Sequence, residues 1–126
     1  MTKPLALVIE DNLKLNQIFS MTLQADFEVE EFTDGRIALV RLNEVVPALV
    51  VLDIHLPHVS GRELLEYIRA DNRMEKTRVI LTTADERQSE TLQNMADIVL
   101  LKPISPLQLR ELALRLIDST HSKGFS

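Results

Sequence analysis

The chain has 126 residues, which is enough for one domain with a substantial hydrophobic core and too few for two ordinary domains. Hydrophobic residues make up 45% of it and charged residues 26%, a composition that excludes disordered and fibrous classes. The absence of cysteine excludes disulfides and cysteine-ligated zinc, and a net charge of -5 without a basic cluster argues against nucleic-acid binding by this chain alone.

Short apolar runs recur along the chain and predict the strands of a sheet. Runs rich in Val, Ile and Leu, too short for typical helices, favour strands covered on both faces. Phe27 and Val29 alternate with acids instead, which predicts a strand at the edge of the sheet. The four apolar runs are residues 5–9, 49–52, 79–81 and 98–101.

Segments with helical spacing lie between the predicted strands. In residues 13–25, apolar side chains recur at three- and four-residue steps after Asn12, which stands where a helix cap is expected. The apolar face of this first helix is predicted to comprise Leu15, Ile18, Phe19, Thr22 and Leu23. The other predicted helices are 36–46, 62–70, 86–95 and 106–117, of which 86–95 has the fewest large apolar residues and is expected to be short.

Alternation of strand and helix predicts a single α/β domain with a doubly wound parallel sheet and helices on both faces. Such sheets bind ligands at the carboxyl ends of their strands. Glu10 and Asp11 follow the first run and Asp53 the third, while Thr82 and Thr83 follow the fourth. Lys102 follows the fifth, so all of these side chains are expected at one edge of the sheet.

Three carboxylates at one edge predict a site for a hard divalent cation. Two unit charges roughly 5 Å apart repel by about 3 kcal/mol at an effective dielectric of about 20, so a cation among them is favourable. Oxygen ligands with retained waters favour Mg²⁺. Lys102 and the Thr83 hydroxyl suit an anion beside the metal, and Asp53 is the candidate nucleophile that would form an aspartyl phosphate.

Four segments at these spacings resemble the receiver domain of two-component response regulators over about residues 4–118: "LVIEDN", "PALVVLDIHLPHVSG", "VILTTAD" and "ADIVLLKP". The resemblance implies a flavodoxin-like (βα)5 fold with strand order 2-1-3-4-5. It implies a phosphoryl acceptor at Asp53 and Mg²⁺ bound by Asp53, Asp11 and the backbone carbonyl of His55, with Glu10 acting through water. It further implies that Thr83, followed by Ala84, is the switch hydroxyl, that Lys102 pairs with the phosphate, and that the Lys102–Pro103 bond is cis.

The phosphodonor implied by the resemblance is a histidine kinase or phosphotransfer protein. His55 and Asp85 occupy positions that tune phosphoryl hydrolysis in this family, so they are hypothesised to set the lifetime here. The chain departs from the family at Val99, where an aromatic residue is usual, and in a shortened stretch between Thr83 and Lys102 that lacks the glycine before Ala96. A group other than the usual aromatic residue must therefore change conformation when the switch threonine moves.

The last predicted helix carries more leucine than one buried stripe needs. Leu109, Leu112, Ala113, Leu116 and Ile117 form the predicted buried face. This leaves Leu107 and Leu114 on another face, which is either chance exposure or part of a homodimer surface made by helix 4, strand 5 and helix 5.

Each site residue also has a simpler reading. Glu10, Asp11 and Asn12 suit a helix N-terminus, Asp53 a strand end and Lys102 a surface position. His55 and His58 share a loop, but two histidines without a third ligand are a poor zinc site.

Two further functions compete with the phosphorylated switch. A degenerate receiver would serve only as an interaction module, although the complete set of acids, threonine and lysine argues against this. A haloacid-dehalogenase-like phosphatase also forms an aspartyl phosphate. That family has its nucleophile after the first strand and a second acid two residues later, whereas here Glu10 and Asp11 are adjacent and His55 stands two residues after Asp53.

The predicted receiver domain spans residues 1–120, and residues 121–126 are read as a tail or the start of a linker. With no apolar run of about 18 residues and no signal-like start, the chain is expected in the cytoplasm, away from membranes.

Overall fold

The computed structural model describes residues 2–121, apart from the side chains of residues 88, 89, 91 and 119–121. Strands and helices alternate along the whole described chain, as predicted. The strands are β1 (Leu5–Ile9), β2 (Glu28–Phe32), β3 (Leu49–Asp53), β4 (Arg78–Thr83) and β5 (Ile98–Leu101). The helices are α1 (Leu13–Leu23), α2 (Gly35–Glu44), α3 (Gly61–Ala70), α4 (Glu86–Leu92) and α5 (Pro106–His121), with a 3₁₀ turn at Asn72–Met74.

The five strands form one parallel sheet in the order β2-β1-β3-β4-β5. This confirms the predicted doubly wound sheet and its strand order. Because β1 and β3 are neighbours while the chain runs outward from them in opposite directions, the order reverses between these two strands. The carboxyl ends of β1 and β3 therefore frame the crevice in which such folds bind ligands.

Alternate residues of the central strands pack on opposite faces of the sheet. One core contains Leu7, Ile9, Val50 and Leu52 together with residues of α2 and α3. The other contains Ala6, Val8, Leu49 and Val51 together with residues of α1 and α5. Burial on both faces explains why these strands are continuous apolar runs in the sequence. No helix among residues 2–121 is long and apolar enough to cross a lipid bilayer.

Several helix boundaries differ from those predicted. Helix α1 ends at Leu23 and α2 at Glu44, where the chain becomes extended at Val45 ahead of Pro47. Helix α4 ends at Leu92, earlier than the predicted residue 95. Helix α5 continues to His121, past the predicted 117, and residues 122–126 of the predicted tail lie outside the described range.

The predicted apolar face of α1 is partly wrong. Ile18 is 43% exposed, whereas Asn16 and Ser20 are completely buried beside Phe19 and Leu23. The buried stripe thus follows helical spacing but includes two polar residues that satisfy each other by hydrogen bonding.

The faces predicted for α5 need two corrections, one of which is Leu112, a member of the predicted buried face that is only half-buried and packs against neither core. Leu109 and Ala113 are buried as predicted, but Leu114 packs partly against the same core rather than lying on a separate face. Leu107 is 63% exposed.

Candidate functional site

The carboxyl ends of β1 and β3 bring three acids together. Glu10 and Asp11 directly follow β1, and Asp53 is the last residue of β3. Glu10 and Asp53 are almost completely buried, whereas Asp11 is exposed. One carboxylate oxygen from each of the three lies within 4.8 Å of the others. The predicted convergence of these side chains is therefore present in the structure.

Asp53 is a buried carboxylate with a donor on each oxygen. The backbone N–H of His55 donates to Oδ1 at 3.1 Å, and the Lys102 ammonium donates to Oδ2 at 3.2 Å. A buried, unpaired carboxylate costs several kcal/mol. These two donors offset that cost, so the last residue of an apolar strand can be an acid.

Glu10 has one satisfied oxygen and one that lacks a directed partner. Its Oε2 accepts from the backbone N–H of Asn12 at 3.0 Å. Lys102 Nζ lies 2.8 Å from Oε1, but the angles are not those of a hydrogen bond. This buried oxygen therefore makes an ion pair but no hydrogen bond within the described part of the chain, so its lone pairs remain available to a further ligand.

Lys102 is the cation shared by both buried acids. Its backbone N–H donates to the Thr83 carbonyl at 2.8 Å, and the Lys102–Pro103 bond is cis, as the resemblance implied. Burial alone would lower the pKa of the ammonium, but the carboxylates of Glu10 and Asp53 outweigh it and raise that pKa. Lys102 is therefore a permanent positive charge at neutral pH.

Thr83 ends β4 with a completely buried side chain. Its Oγ1 accepts the backbone N–H of Asp85 at 3.0 Å, which leaves the hydroxyl proton free to be donated elsewhere. Among the described contacts, no hydrogen bond joins this hydroxyl to Asp53. Asp85 caps α4 by accepting from Arg87 N–H at 2.9 Å. Ala84, which lies between Thr83 and Asp85, is exposed.

The loop from β3 to α3 lies tightly against the acid site. A Cβ on Gly61 would lie 2.1 Å from the backbone oxygen of Asp53, so only glycine fits there. His58 adopts a left-handed backbone conformation with φ 69°, which is uncommon for a residue with a side chain. Its Nε2 lies 3.8 Å from Asp34 Oδ2 at the start of α2. His55 is exposed beside the site.

The donor set at this edge suits a hard divalent cation. At a metal–oxygen distance of about 2.1 Å, two ligands on opposite sides of one Mg²⁺ lie about 4.2 Å apart. The three carboxylate oxygens lie within 4.8 Å of one another, which is close to the separation that ligands of a single ion have. Glu10 Oε1 forms an ion pair with Lys102 but accepts no hydrogen bond from the described residues, so it could also accept one from the water of a hydrated ion. Among the described residues, no other group of three acids, histidines or cysteines is close enough to hold a metal.

Asn16 is a buried residue near the acids that the sequence reasoning missed. Its amide donates to the Phe32 carbonyl at 2.8 Å and to the Glu10 carbonyl at 3.1 Å. The predicted face of the first helix did not include Asn16, although residues 16, 19, 20 and 23 together have the spacing of one helical face. That spacing was the available signal.

This architecture, with an acid pair after β1, a buried acid at the end of β3 and a lysine after β5, defines a flavodoxin-like α/β domain with its site at the carboxyl edge of the sheet. A family model described as the response regulator receiver domain matches residues 6–114. The chain belongs to this family, the phosphorylatable receiver domains of two-component signal transduction.

The chain is similar to several known proteins. It is 36% identical over 110 residues to the phosphate regulon transcriptional regulatory protein PhoB of Rhizobium meliloti, covering 84% of this chain and 48% of that protein. It is 29% identical over 126 residues to hybrid signal transduction histidine kinase D of Dictyostelium discoideum, covering 98% of this chain and 8% of that protein. It therefore spans about half or less of these relatives.

A solved structure supports the same assignment. The receiver domain of Francisella response regulator 1452 superposes with a TM-score of 0.84 at 27% identity, covering 94% of this chain and 99% of that chain. The match extends over nearly the whole of both chains.

Proposed function

We propose that this domain is a signalling switch that accepts a phosphoryl group on Asp53 from a phosphohistidine of a histidine kinase or phosphotransfer protein. The observation that carries the proposal is the environment of Asp53, a buried carboxylate beside two further acids, with a backbone N–H on one oxygen and an ammonium on the other. Such a group is held in place as a nucleophile and is already next to the cation that a phosphate would need.

Asp11, Asp53 and the backbone carbonyl of His55 would hold Mg²⁺, with Glu10 reaching it through water. The metal, when bound, would neutralise negative charge on the phosphoryl oxygens. Lys102 would bind one of those phosphoryl oxygens. To do so, its ammonium group must give up part of its ion pairing with Glu10 and Asp53. The Thr83 hydroxyl has a proton to donate to another oxygen, and the small residue Ala84 follows it.

In the transfer step, an oxygen of Asp53 forms the new bond to phosphorus while the bond from phosphorus to the donor imidazole nitrogen breaks. The electron pair of the broken bond stays on that nitrogen, and a proton already on the other ring nitrogen makes the leaving group neutral imidazole. Hydrolysis later returns the Asp53 carboxylate and releases inorganic phosphate. Positioning and charge neutralisation would therefore supply the catalysis.

The decisive experiment incubates the wild type and Asp53→Asn with acetyl phosphate and Mg²⁺, followed by mass spectrometry of the digested protein. The wild type should gain one phosphoryl group on the peptide containing Asp53, and the isosteric amide variant should gain none. Omission of Mg²⁺ is the matched control for the metal. Modification of Asp53→Asn at wild-type yield would overturn the proposal.

His55 and Asp85 would set the phosphoryl lifetime. His55 is exposed beside Asp53, and the Asp85 carboxylate is engaged at the start of α4. His55→Ala should change the half-life of the phosphorylated protein, measured as decay of radiolabel. An unchanged half-life would remove His55 from this role.

The output of the switch is proposed to be binding through α4, β5 and α5, including a homodimer. Leu101 on β5 and Leu107 on α5 are 45% and 63% exposed, so this face carries apolar surface. Sedimentation with and without beryllofluoride separates a dimer induced by the phosphate mimic from chance exposure, for which the protein stays monomeric in both.

Two other functions make different predictions in the same assays. A degenerate receiver would fold and bind partners without taking up phosphate, and a phosphatase would turn over a phosphate monoester. The boundary of the receiver at residue 120 and the cytoplasmic location remain predictions from the sequence.

A further inference from the structure

We propose that Asn16 is a positioning residue for the metal site, holding the backbone that carries Glu10 and Asp11 in the geometry that Mg²⁺ requires. This inference rests on the proposed function, because the ion it concerns is the Mg²⁺ of that function. Asn16 touches neither the acid side chains nor the nucleophile in the described contacts, so it would act through the backbone alone.

The amide of Asn16 fixes the end of β1. Its Nδ2 lies 2.8 Å from the Phe32 carbonyl and 3.1 Å from the Glu10 carbonyl, whereas the Val8 carbonyl at 3.4 Å is beyond good hydrogen-bonding distance. An NH₂ group has two protons to donate, so the two shorter contacts use both. The side chain is completely buried.

Hydrogen bonds among Asn16, Phe32 and Glu10 fix the backbone of Glu10. The backbone N–H of Glu10 donates to the Phe32 carbonyl at 3.0 Å, and the Glu10 carbonyl accepts from Asn16. Both backbone polar groups of Glu10 are thus held. Because a peptide unit is planar, fixing the Glu10 carbonyl also fixes the N–H and the entry direction of Asp11.

Ser20 holds the amide the right way round. Its hydroxyl donates to Asn16 Oδ1 at 3.2 Å, so the oxygen of the amide faces Ser20 and the NH₂ faces the carbonyls. Ser20 is also completely buried. The series of hydrogen bonds from Ser20 through Asn16 to Glu10 therefore lies inside the protein, between α1 and the end of β1.

A purely structural role predicts a different result. Any buried amide must be hydrogen bonded, and its loss would lower stability wherever it lies. A positioning role predicts in addition that Mg²⁺ affinity falls while the folded state persists, since partners that orient metal ligands typically contribute 10–100-fold to metal affinity. The two roles are separated by measuring stability and Mg²⁺ binding on the same variants.

The test compares Asn16→Leu, Ser20→Ala and Leu23→Ala with the wild type, using calorimetric titration with MgCl₂ and thermal unfolding. Asn16→Leu keeps the side-chain size and removes both donors, and it should raise the Mg²⁺ dissociation constant about tenfold. Ser20→Ala should raise it about threefold, because the amide is retained but less firmly oriented. Leu23→Ala truncates a buried residue of the same helix away from the acids, so it should unfold at lower temperature with an unchanged dissociation constant.

Phosphorylation by acetyl phosphate provides a second readout. In Asn16→Leu the Mg²⁺ concentration for half-maximal rate should rise, while the rate at saturating Mg²⁺ recovers, because Asp53 and Lys102 are untouched. Folded Asn16→Leu with wild-type Mg²⁺ affinity would overturn the inference. If that variant does not fold, Ser20→Ala decides alone, and an unchanged dissociation constant overturns it. A wild type that binds no Mg²⁺ would instead refute the proposed function.

Discussion

Helices α3 and α4 follow neighbouring strands and lie on the same side of the sheet, yet they are held very differently. Helix α3 has ten residues and buries Leu64, Leu65 and Ile68 completely. It begins with a capping box in which Ser60 and Glu63 satisfy each other's backbone N–H groups. Helix α4 has seven residues, and of its described side chains only Leu92 is buried.

The weaker anchoring of α4 bears on where the domain would respond to the proposed phosphorylation of Asp53. Helix α4 starts three residues after Thr83, within the connection that leads to β5 and Lys102. Segments that move on ligand binding come from the less stable parts of a structure, those with few buried contacts. With Val99 in place of the aromatic residue, we infer that α4 and its flanking turns report the state of the site.

The largest effect is expected from truncating the core contacts of each helix. Leu65→Ala should lower the free energy of unfolding by about 3–5 kcal/mol, and Leu92→Ala by about 2 kcal/mol, since a poorly anchored helix can collapse into the space. Urea unfolding measures both. Equal losses would show that α4 is held as firmly as α3.

The next effect concerns an arginine on each helix. Arg69 donates to the Met95 carbonyl at 2.6 Å, to the Thr77 carbonyl at 3.0 Å and to Asp97 at 2.9 Å. Its replacement by leucine should lower the free energy of unfolding by about 2 kcal/mol, because hydrogen bonds to a charged group are lost. The matched control is Arg87→Leu on α4, whose side chain is 93% exposed. It should change the free energy by less than about 0.5 kcal/mol.

A smaller difference is expected between the two helix caps. Ser60→Ala removes the hydroxyl that accepts Glu63 N–H at 3.1 Å and donates to the Glu63 carboxylate at 3.3 Å, so it should cost about 1–2 kcal/mol. Asp85→Ala removes a single cap bond to Arg87 N–H and should cost about 0.5–1 kcal/mol. Chemical unfolding of the pair measures the difference. A costlier Asp85→Ala would reverse the ranking of the two helices.

The smallest effect is a gain in stability in the loop that precedes α3. His58 has φ 69°, where glycine has no steric cost, but glycine also gains entropy in the unfolded chain. His58→Gly should therefore raise the free energy of unfolding by less than about 1 kcal/mol. His58→Ala retains the steric cost and is the control. A loss of stability in the glycine variant would show that the contact with Asp34 outweighs the strain.

The sequence allowed the fold and most of the acid site to be predicted for one physical reason. The strands are continuous apolar runs, and parallel strands bring their carboxyl ends to one edge, so Glu10, Asp11, Asp53 and Lys102 were expected at that edge, where the structure brings them into contact. Polar contacts within the core could not be predicted in the same way. The burial of Asn16 depends on carbonyls at Glu10 and Phe32 that its own helix does not contain.

The same limitation applies to Arg69 and to the end of α4. Arg69 contacts carbonyls 8 and 26 residues away, which helical periodicity cannot indicate. Helix α4 stops at Leu92 although residues 93–95 are compatible with a helix, because Ala96 and Met95 turn back onto the core beside β5. Tertiary packing overrides local preference at such positions.

Gly61 brings the start of α3 into direct contact with the end of β3. A Cβ on Gly61 would lie 2.1 Å from the Asp53 carbonyl oxygen, so the backbone at the start of α3 packs directly against the peptide of Asp53. Any residue larger than glycine here would push the start of α3 away from Asp53, and the carboxylate that the proposed function uses as nucleophile would shift with it.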